Sequence, residues 1–310
     1  MSEEINKMEI IREIQLTNLK SLKKLDEVCK KYNLKYWAAY GTLLGAIRHD
    51  GFIPWDDDLD VGMLREDYEK LCVIPQYEWG EDCIFCDGKS EDIRHDKIFG
   101  RVYQKNTRIQ SYDDVFNWIN PKNGEPWSTS LMCDIFIFDK VPEDKATWKK
   151  IYLNGIKLIS RYKILKLKPR VSLDKNSLSK NIKALLKLFY RFIFINILKK
   201  SWKDSLIKHE NNIKQCVIGH KIGTFYTIDP MTYDYSDIFP LEYHRFENML
   251  VPIPKNWHQM LVDQYGDYMV YPPEDKRYHI NFIYADLGNG RKFVIDPIKG
   301  SLGASDNQTS

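Results

Sequence analysis

Residues 36–71, YWAAYGTLLGAIRHDGFIPWDDDLDVGMLREDYEKL, place four aspartates, Asp56, Asp57, Asp58 and Asp60, between the apolar flanks 52–55 and 61–64. Carboxylates this close together repel one another unless water or a cation intervenes. Read as a strand, 58–63 directs Asp58 and Asp60 to one face and Leu59 and Val61 to the other, because side chains alternate across a sheet. Two carboxylates on one strand face, joined by a third from a neighbouring strand, suit a hard divalent cation such as Mg²⁺ or Mn²⁺. Upstream, Tyr40-Gly41-Thr42-Leu43-Leu44-Gly45 reads as a turn opening a helix, whose free N–H groups and small residues suit a phosphate. A phosphate cradle beside a D-x-D strand end points to metal-assisted chemistry on a nucleotide's phosphates. The alternative is a solvated acidic loop.

Working outward, 33–39 reads as a strand, 42–47 as a short helix, 51–54 as a loop and 65–72 as a second helix. Ahead of the stretch, Ile10, Ile14, Leu19, Leu22, Leu25 and Val28 recur at mostly helical spacing, predicting an amphipathic helix over 2–31 with a break near Thr17. Beyond it, 96–108 is expected to be a strand carrying Lys97, Arg101 and Arg108, and 117–129 a turn-rich loop with Trp118 and Trp127. The run 131–139, LMCDIFIFD, is apolar enough for a buried central strand. An aspartate inside such a strand needs a partner, and a shared metal supplies one. Asp134 is therefore the candidate third carboxylate, with Asp139 in the exit turn. Towards the C-terminus, 219–228 is expected to be a strand and 256–265 a helix ending at Gly266.

Residues 40–60 resemble the signature of the LicD family, YGTLLGAxRHxGFIPWDDDxD, almost without departure. The likeness continues at 134–139, DIFIFD, which follows a D-I-F-P-L-D-like run except for Ile137 in place of proline, and in 265–279. The resemblance implies a nucleotidyltransferase-type α/β (α+β) fold, a twisted mixed sheet flanked by helices. The implied activity is transfer of a phospho-alcohol, typically phosphocholine from CDP-choline, to a hydroxyl of a cell-surface glycan such as lipopolysaccharide, teichoic acid or a capsule precursor, with CMP leaving. The fukutin-related proteins, similar in this motif, move ribitol phosphate from CDP-ribitol. CDP-glycerol or CDP-ethanolamine as donor, nucleotidyl transfer with release of pyrophosphate, and a non-enzymatic surface-binding module remain as alternatives. On the family reading, Asp58, Asp60 and Asp134 bind one or two Mg²⁺ (or Mn²⁺) ions and carry the chemistry. Gly41, Thr42, Arg48, Arg101, Arg277 and His279 are the candidate phosphate-binding residues. Trp55 and nearby tyrosines would offer an aromatic cage to a choline ammonium.

With 310 residues, 43% of them hydrophobic, the chain can build one large domain or a domain with an insertion. The 29% charged fraction argues against a membrane-embedded protein, and a net charge of only +3 leaves electrostatic preference to local clusters. The expected organisation is a catalytic core over 1–148, a basic helical insertion over 149–216, a segment over 217–300 that completes the site, and a polar, disordered tail over 301–310. Across 149–214, eighteen Lys and Arg face three Asp and Glu. Within it, 181–200, NIKALLKLFYRFIFINILKK, has an uninterrupted apolar part too short for a bilayer span, which takes roughly 20 residues. It reads either as a helix lying in an anionic membrane surface or as a core helical hairpin with a wet basic face. No nucleic-acid motif accompanies the basic run, so nucleic acid is not an expected partner. The start, MSEEINKMEIIREIQ, lacks the apolar core of a signal peptide. The expected location is cytoplasmic, at the inner face of the membrane, where a cytosolic CDP-alcohol meets a lipid-linked glycan acceptor. Six cysteines are too few and too irregular for a disulfide framework. Cys83 and Cys86, with Cys72 and His95, form a zinc alternative to a reduced scatter of thiols.

Overall fold

Strict alternation makes Met132–Pro142 the spine of the protein: Cys133, Ile135 and Ile137 are fully buried on one face, while Asp134, Phe136 and Phe138 belong to the other. The computed structural model describes residues 7–171, 178–216, 218–225, 231–274, 277, 282–295 and 302–304. In chain order the first elements are α1 (Lys7–Lys31), β1 (Tyr36–Ala38), α2 (Tyr40–His49), β2 (Asp60–Leu64), α3 (Arg65–Cys72), β3 (Cys83–Cys86), β4 (Gly100–Gln104), β5 (Arg108–Ser111), α4 (Tyr112–Asn117), β6 (Trp118–Ile119) and β7 (Met132–Pro142). There follow α5 (Lys145–Lys166), β8 (Lys168–Pro169), α6 (Leu178–Phe192) with a π-helical turn at Ile193–Ile197, and α7 (Trp202–Lys214). The last are β9 (Ile218–Gly223), β10 (Thr232–Asp234), α8 (Tyr235–Ile238), β11 (Glu242–Phe246), β12 (Met249–Ile253), α9 (Trp257–Tyr265), β13 (Phe282–Asp286), β14 (Lys292–Ile295) and β15 (Leu302–Ala304).

The principal sheet runs β1-β2-β7-β4-β3, with β9 pairing the far end of β7 and β10 pairing β9. β2 and β7 are parallel and their other neighbours antiparallel, so the sheet is mixed and the protein α+β. α1 lies against β4 and β7, sinking Leu19, Leu22, Leu25 and Val28 among Val61, Met63, Cys133 and Ile135. Each such side chain contributes about 1.5–3 kcal/mol by leaving water. The break expected near Thr17 is absent: α1 is continuous, and the Thr17 hydroxyl satisfies itself within the helix by donating to the Glu13 carbonyl (2.8 Å) one turn back.

Several boundaries differ from expectation. β2 starts at Asp60 rather than 58, since the Asp60 N–H donates to the Thr42 hydroxyl (2.7 Å) and strand pairing begins only there. The stretch 96–108 divides: β4 stays in the principal sheet, whereas β5 leaves to join a second sheet, β15-β14-β13-β5. Leu302–Ala304, inside the expected tail, pairs with β14. α5 begins at Lys145, capped by the Asp144 carboxylate, so 148/149 falls within a helix. Gly266, with φ 65°, ends α9 as expected.

The zinc alternative does not assemble. Cys83 and Cys86 are three residues apart on β3 and so face opposite ways, and the Cys83 sulfur accepts from Gln104 Nε2 (3.1 Å). Cys72 and all the other cysteines are free thiols, and among the described residues only carboxylates gather tightly enough for a cation.

Candidate active site

Three neighbouring strands set charged residues side by side on one face of the sheet. Asp60 on β2 stands in register with Asp134 on β7, and Asp134 with Arg101 on β4. The opposite face takes the apolar alternates Leu59 and Val61, both buried, as the D-x-D spacing predicts. Asp58 precedes the strand and is exposed. Ahead of it the loop folds so that Asp56, Asp57 and Asp58 offer carboxylate oxygens within 4.8 Å of one another.

That loop is held from below by α1. Gln15 Nε2 donates to the carbonyls of Ile53 (3.0 Å) and Asp56 (2.7 Å), and Asn18 Nδ2 to that of Asp57 (2.6 Å). Both side chains sit on the buried stripe of the helix, where an amide without a partner is costly. α2 supplies the other wall. Tyr40 enters it with φ 48°, an uncommon conformation for a residue with a side chain, and packs its ring on Phe136 at 5.0 Å. Gly41 follows because a Cβ there would stand 2.6 Å from Asp56 Oδ2. Thr42 is buried and anchors the Asp60 N–H.

The electrostatics are those of a site built for positive charge. Burial and the neighbouring Asp58 push the Asp56 carboxyl up to about 9, and the same two causes push Asp57 up to about 7. Asp60 is raised well above the carboxylate range by burial and by Asp58, Asp134 and Asp56 in turn, with Arg101 the opposing charge. Burial also raises Tyr265, with the charges of Asp60 and Asp56 adding to it. Asp134 is raised by burial against the opposing pull of Arg101. An all-oxygen, multiply anionic donor set fits Mg²⁺ or Mn²⁺ rather than a soft metal.

Arg101 is spent within the protein. Its Nε and Nη2 grip the two oxygens of Asp134 (2.5 and 3.2 Å), and Nη1 donates to Asp96 Oδ1 (3.1 Å). Burial would raise Asp96, but Lys97, Arg101 and Lys163 outweigh it and hold this carboxyl well below its usual value. Arg48 and Arg277 form a separate group. Their guanidinium carbons lie 5.9 and 5.3 Å from the Trp55 ring, and 4.9 and 5.5 Å from that of Tyr271. Burial, with the charge of Arg277 adding to it, pushes Arg48 below its ordinary value. The Trp55 and Tyr271 rings, themselves 5.8 Å apart, thus already carry cations of the protein's own.

Of the residues singled out in the sequence, Asp58, Asp60, Asp134 and Arg101 come together, Gly41 and Thr42 form the wall behind them, and Arg48 and Arg277 pair on the aromatic rings. His279 lies outside the described residues. The tight carboxylate group shares only Asp58 with the predicted trio. Asp56 and Asp57 were legible as part of the acidic run, whereas Gln15 and Asn18 had one signal, amide side chains three apart on the face of α1 that the apolar spacing turns inward. Replacing Gly41 by alanine should separate site from fold. The helix would gain up to ~1 kcal/mol of propensity, while the methyl group displaces the Asp56 carboxylate. The expected result is an unchanged or higher melting temperature with transfer reduced at least ~10-fold, as a misplaced reacting group implies; full activity would show that Asp56 is not needed where it stands.

Residues 33–153 match the LicD/FKTN/FKRP nucleotidyltransferase domain, a span holding β1 to β7 and every carboxylate named above. The lipopolysaccharide cholinephosphotransferase LicD of Haemophilus influenzae is 30% identical over 286 residues, 88% of this chain and 97% of that one. The human ribitol 5-phosphate transferase FKRP is 48% identical over 40 residues, 13% of this chain and 8% of that protein. An uncharacterised protein of Rickettsia prowazekii is 44% identical over 77 residues, 24% of this chain and 29% of its own length. With a 30% identical relative aligned along nearly the whole of both chains, the protein belongs to the LicD family.

Proposed function

We propose that the protein transfers a phospho-alcohol from a CDP-alcohol to a hydroxyl of a cell-surface glycan, with CDP-choline as donor. One observation carries the reading: five carboxylates converge at the starts of β2 and β7 in a chain that aligns end to end with a cholinephosphotransferase. Asp56, Asp57 and Asp58, with Asp60 and Asp134 adjoining, would hold one or two Mg²⁺ or Mn²⁺ ions. When bound there, a cation would supply positive charge to neutralise the donor's pyrophosphate and polarise the attacked phosphorus.

The chain's own residues supply the rest. The acceptor oxygen forms a bond to the distal phosphorus as the bond from that phosphorus to the CMP oxygen breaks, and CMP leaves with the electron pair. The hydroxyl proton passes to Asp134, whose proton affinity burial raises and whose position Arg101 fixes. Gly41 and Thr42 act on the carboxylates, making room for Asp56 and anchoring Asp60. Arg48 and Arg277, stacked on Trp55 and Tyr271, receive the anionic pyrophosphate, so these two rings are not the cage for a choline ammonium. A charge-assisted contact is worth about 1.5–3 kcal/mol. Arg48→Gln and Arg277→Gln should therefore each raise the KM for donor by ~10- to 100-fold; an unchanged KM in both would remove the pair from the site.

No described helix is long and apolar enough to cross a membrane. We place the enzyme on the inner face of the cytoplasmic membrane, using a cytosolic donor and a lipid-linked acceptor. Thermal stabilisation by CDP-choline, CDP-ribitol, CDP-glycerol and CDP-ethanolamine in Mg²⁺ tests the donor. CDP-choline at 100 times its Kd should add ~2.7 kcal/mol, and EDTA should abolish the effect. Stabilisation by none of the four would reject the reading.

A further inference from the structure

α6 presents its apolar side to water. Leu178, Ile182, Leu185, Leu186, Phe189 and Phe192 recur at helical spacing, and each is at least 50% exposed. Its other side makes the attachment to the body. Ala184 is buried there, and Arg191 Nη1 donates to the carbonyls of Ile164, Leu165 and Leu167 at the end of α5. Lys187 sets its ammonium 4.9 Å from the Trp118 ring. The exposed apolar surface continues through Ile197 and Leu198.

An amphipathic helix on a globular protein normally turns its apolar stripe to the core. Here basic and small residues make the inward contacts, so the stripe has no cover within the described residues. The surrounding charge selects what covers it. Lys180, Lys183, Lys199 and Lys200 are exposed, and no acidic residue occurs between 178 and 200. A second copy of the same face would bring lysines against lysines, whereas an anionic lipid surface satisfies both the stripe and the charge. We propose that α6 and the turn after it are a docking element that lies in the plane of an anionic bilayer, with Leu185, Leu186 and Phe189 at the acyl boundary and the lysines among the headgroup phosphates.

The proposal extends the membrane part of the reading above and does not rest on the catalytic part. Flotation with phosphatidylglycerol–phosphatidylcholine vesicles and with pure phosphatidylcholine vesicles tests it, while stabilisation by CDP-choline is followed separately. The wild-type protein should float with the anionic vesicles at low salt and stay down with the zwitterionic ones. Lys180→Gln, Lys183→Gln, Lys199→Gln and Lys200→Gln together should weaken anionic binding ~10-fold or more. Leu185→Ser with Phe189→Ser should abolish it, with unchanged circular dichroism and an unchanged response to CDP-choline. Failure of the wild-type protein to bind anionic vesicles at low salt would overturn the proposal. So would sedimentation showing a dimer that Phe189→Ser dissociates while vesicles are ignored.

Discussion

Asp58→Asn and Asp60→Asn are expected to reduce transfer at least ~100-fold, the scale on which loss of one preorganised charge at a transition state is felt. Neither variant should unfold. Carboxyls raised by folding stabilise the native state only while protonated, so that contribution is present in acid and is lost as pH rises through about 7 for Asp57 and about 9 for Asp56. The metal-free protein should therefore weaken from about pH 5 towards pH 9. Neutralising Asp58 or Asp60 removes a repulsion of ~1–4 kcal/mol per close pair, depending on the local dielectric. Melting temperatures in EDTA should accordingly rise in both variants, and more at pH 8 than at pH 5. A fall at pH 8 would mean that these carboxylates are bound structurally rather than held apart for a cation.

The opposite outcome is expected for Arg101→Met. The Arg101 side chain is 7% exposed, and Asp96 and Asp134, which it joins, are 5% and 15% exposed. Removing one member of a buried ionic group leaves the rest uncompensated, at a cost of about 3–5 kcal/mol. Here the remainder includes Asp60 next door, so the loss should approach the upper end. Denaturant unfolding measures it directly. Arg101→Met with Asp134→Asn should recover part of the stability and none of the activity. If Arg101→Met costs less than ~1 kcal/mol, as a pair on the surface would, the clamp on Asp134 is not the one described.

What the residues themselves disclosed depended on how local the cause was. Alternation carried Leu59 and Val61 into the core and left Asp60 on the working face, and the apolar run around Asp134 identified the central strand. The pairing of Asp134 with Arg101 is a register between β7 and β4, set by how two distant segments meet. It gives Asp134 a guanidinium partner besides the metal that the sequence suggested. The late start of β2 is similar, since the Thr42 hydroxyl that claims the Asp60 N–H comes from 18 residues away. The division of 96–108 was illegible because β5 finds its partner in β13, at the other end of the chain. For α6 the amphipathic spacing was plain and the direction was not. Periodicity reports that one face is apolar, and the contacts of Ala184, Lys187 and Arg191 show that the body takes the other.

The most direct test is the product released from CDP-choline in the presence of a hydroxyl acceptor and Mg²⁺, for the wild-type protein and for Asp60→Asn. Attack on the distal phosphorus at the carboxylate site predicts CMP in solution and phosphocholine on the acceptor from the wild type, with neither from Asp60→Asn. Free phosphocholine with cytidylate on the acceptor would place the attack on the other phosphorus, and CMP release that survives in Asp60→Asn would place the chemistry elsewhere; either result contradicts the account.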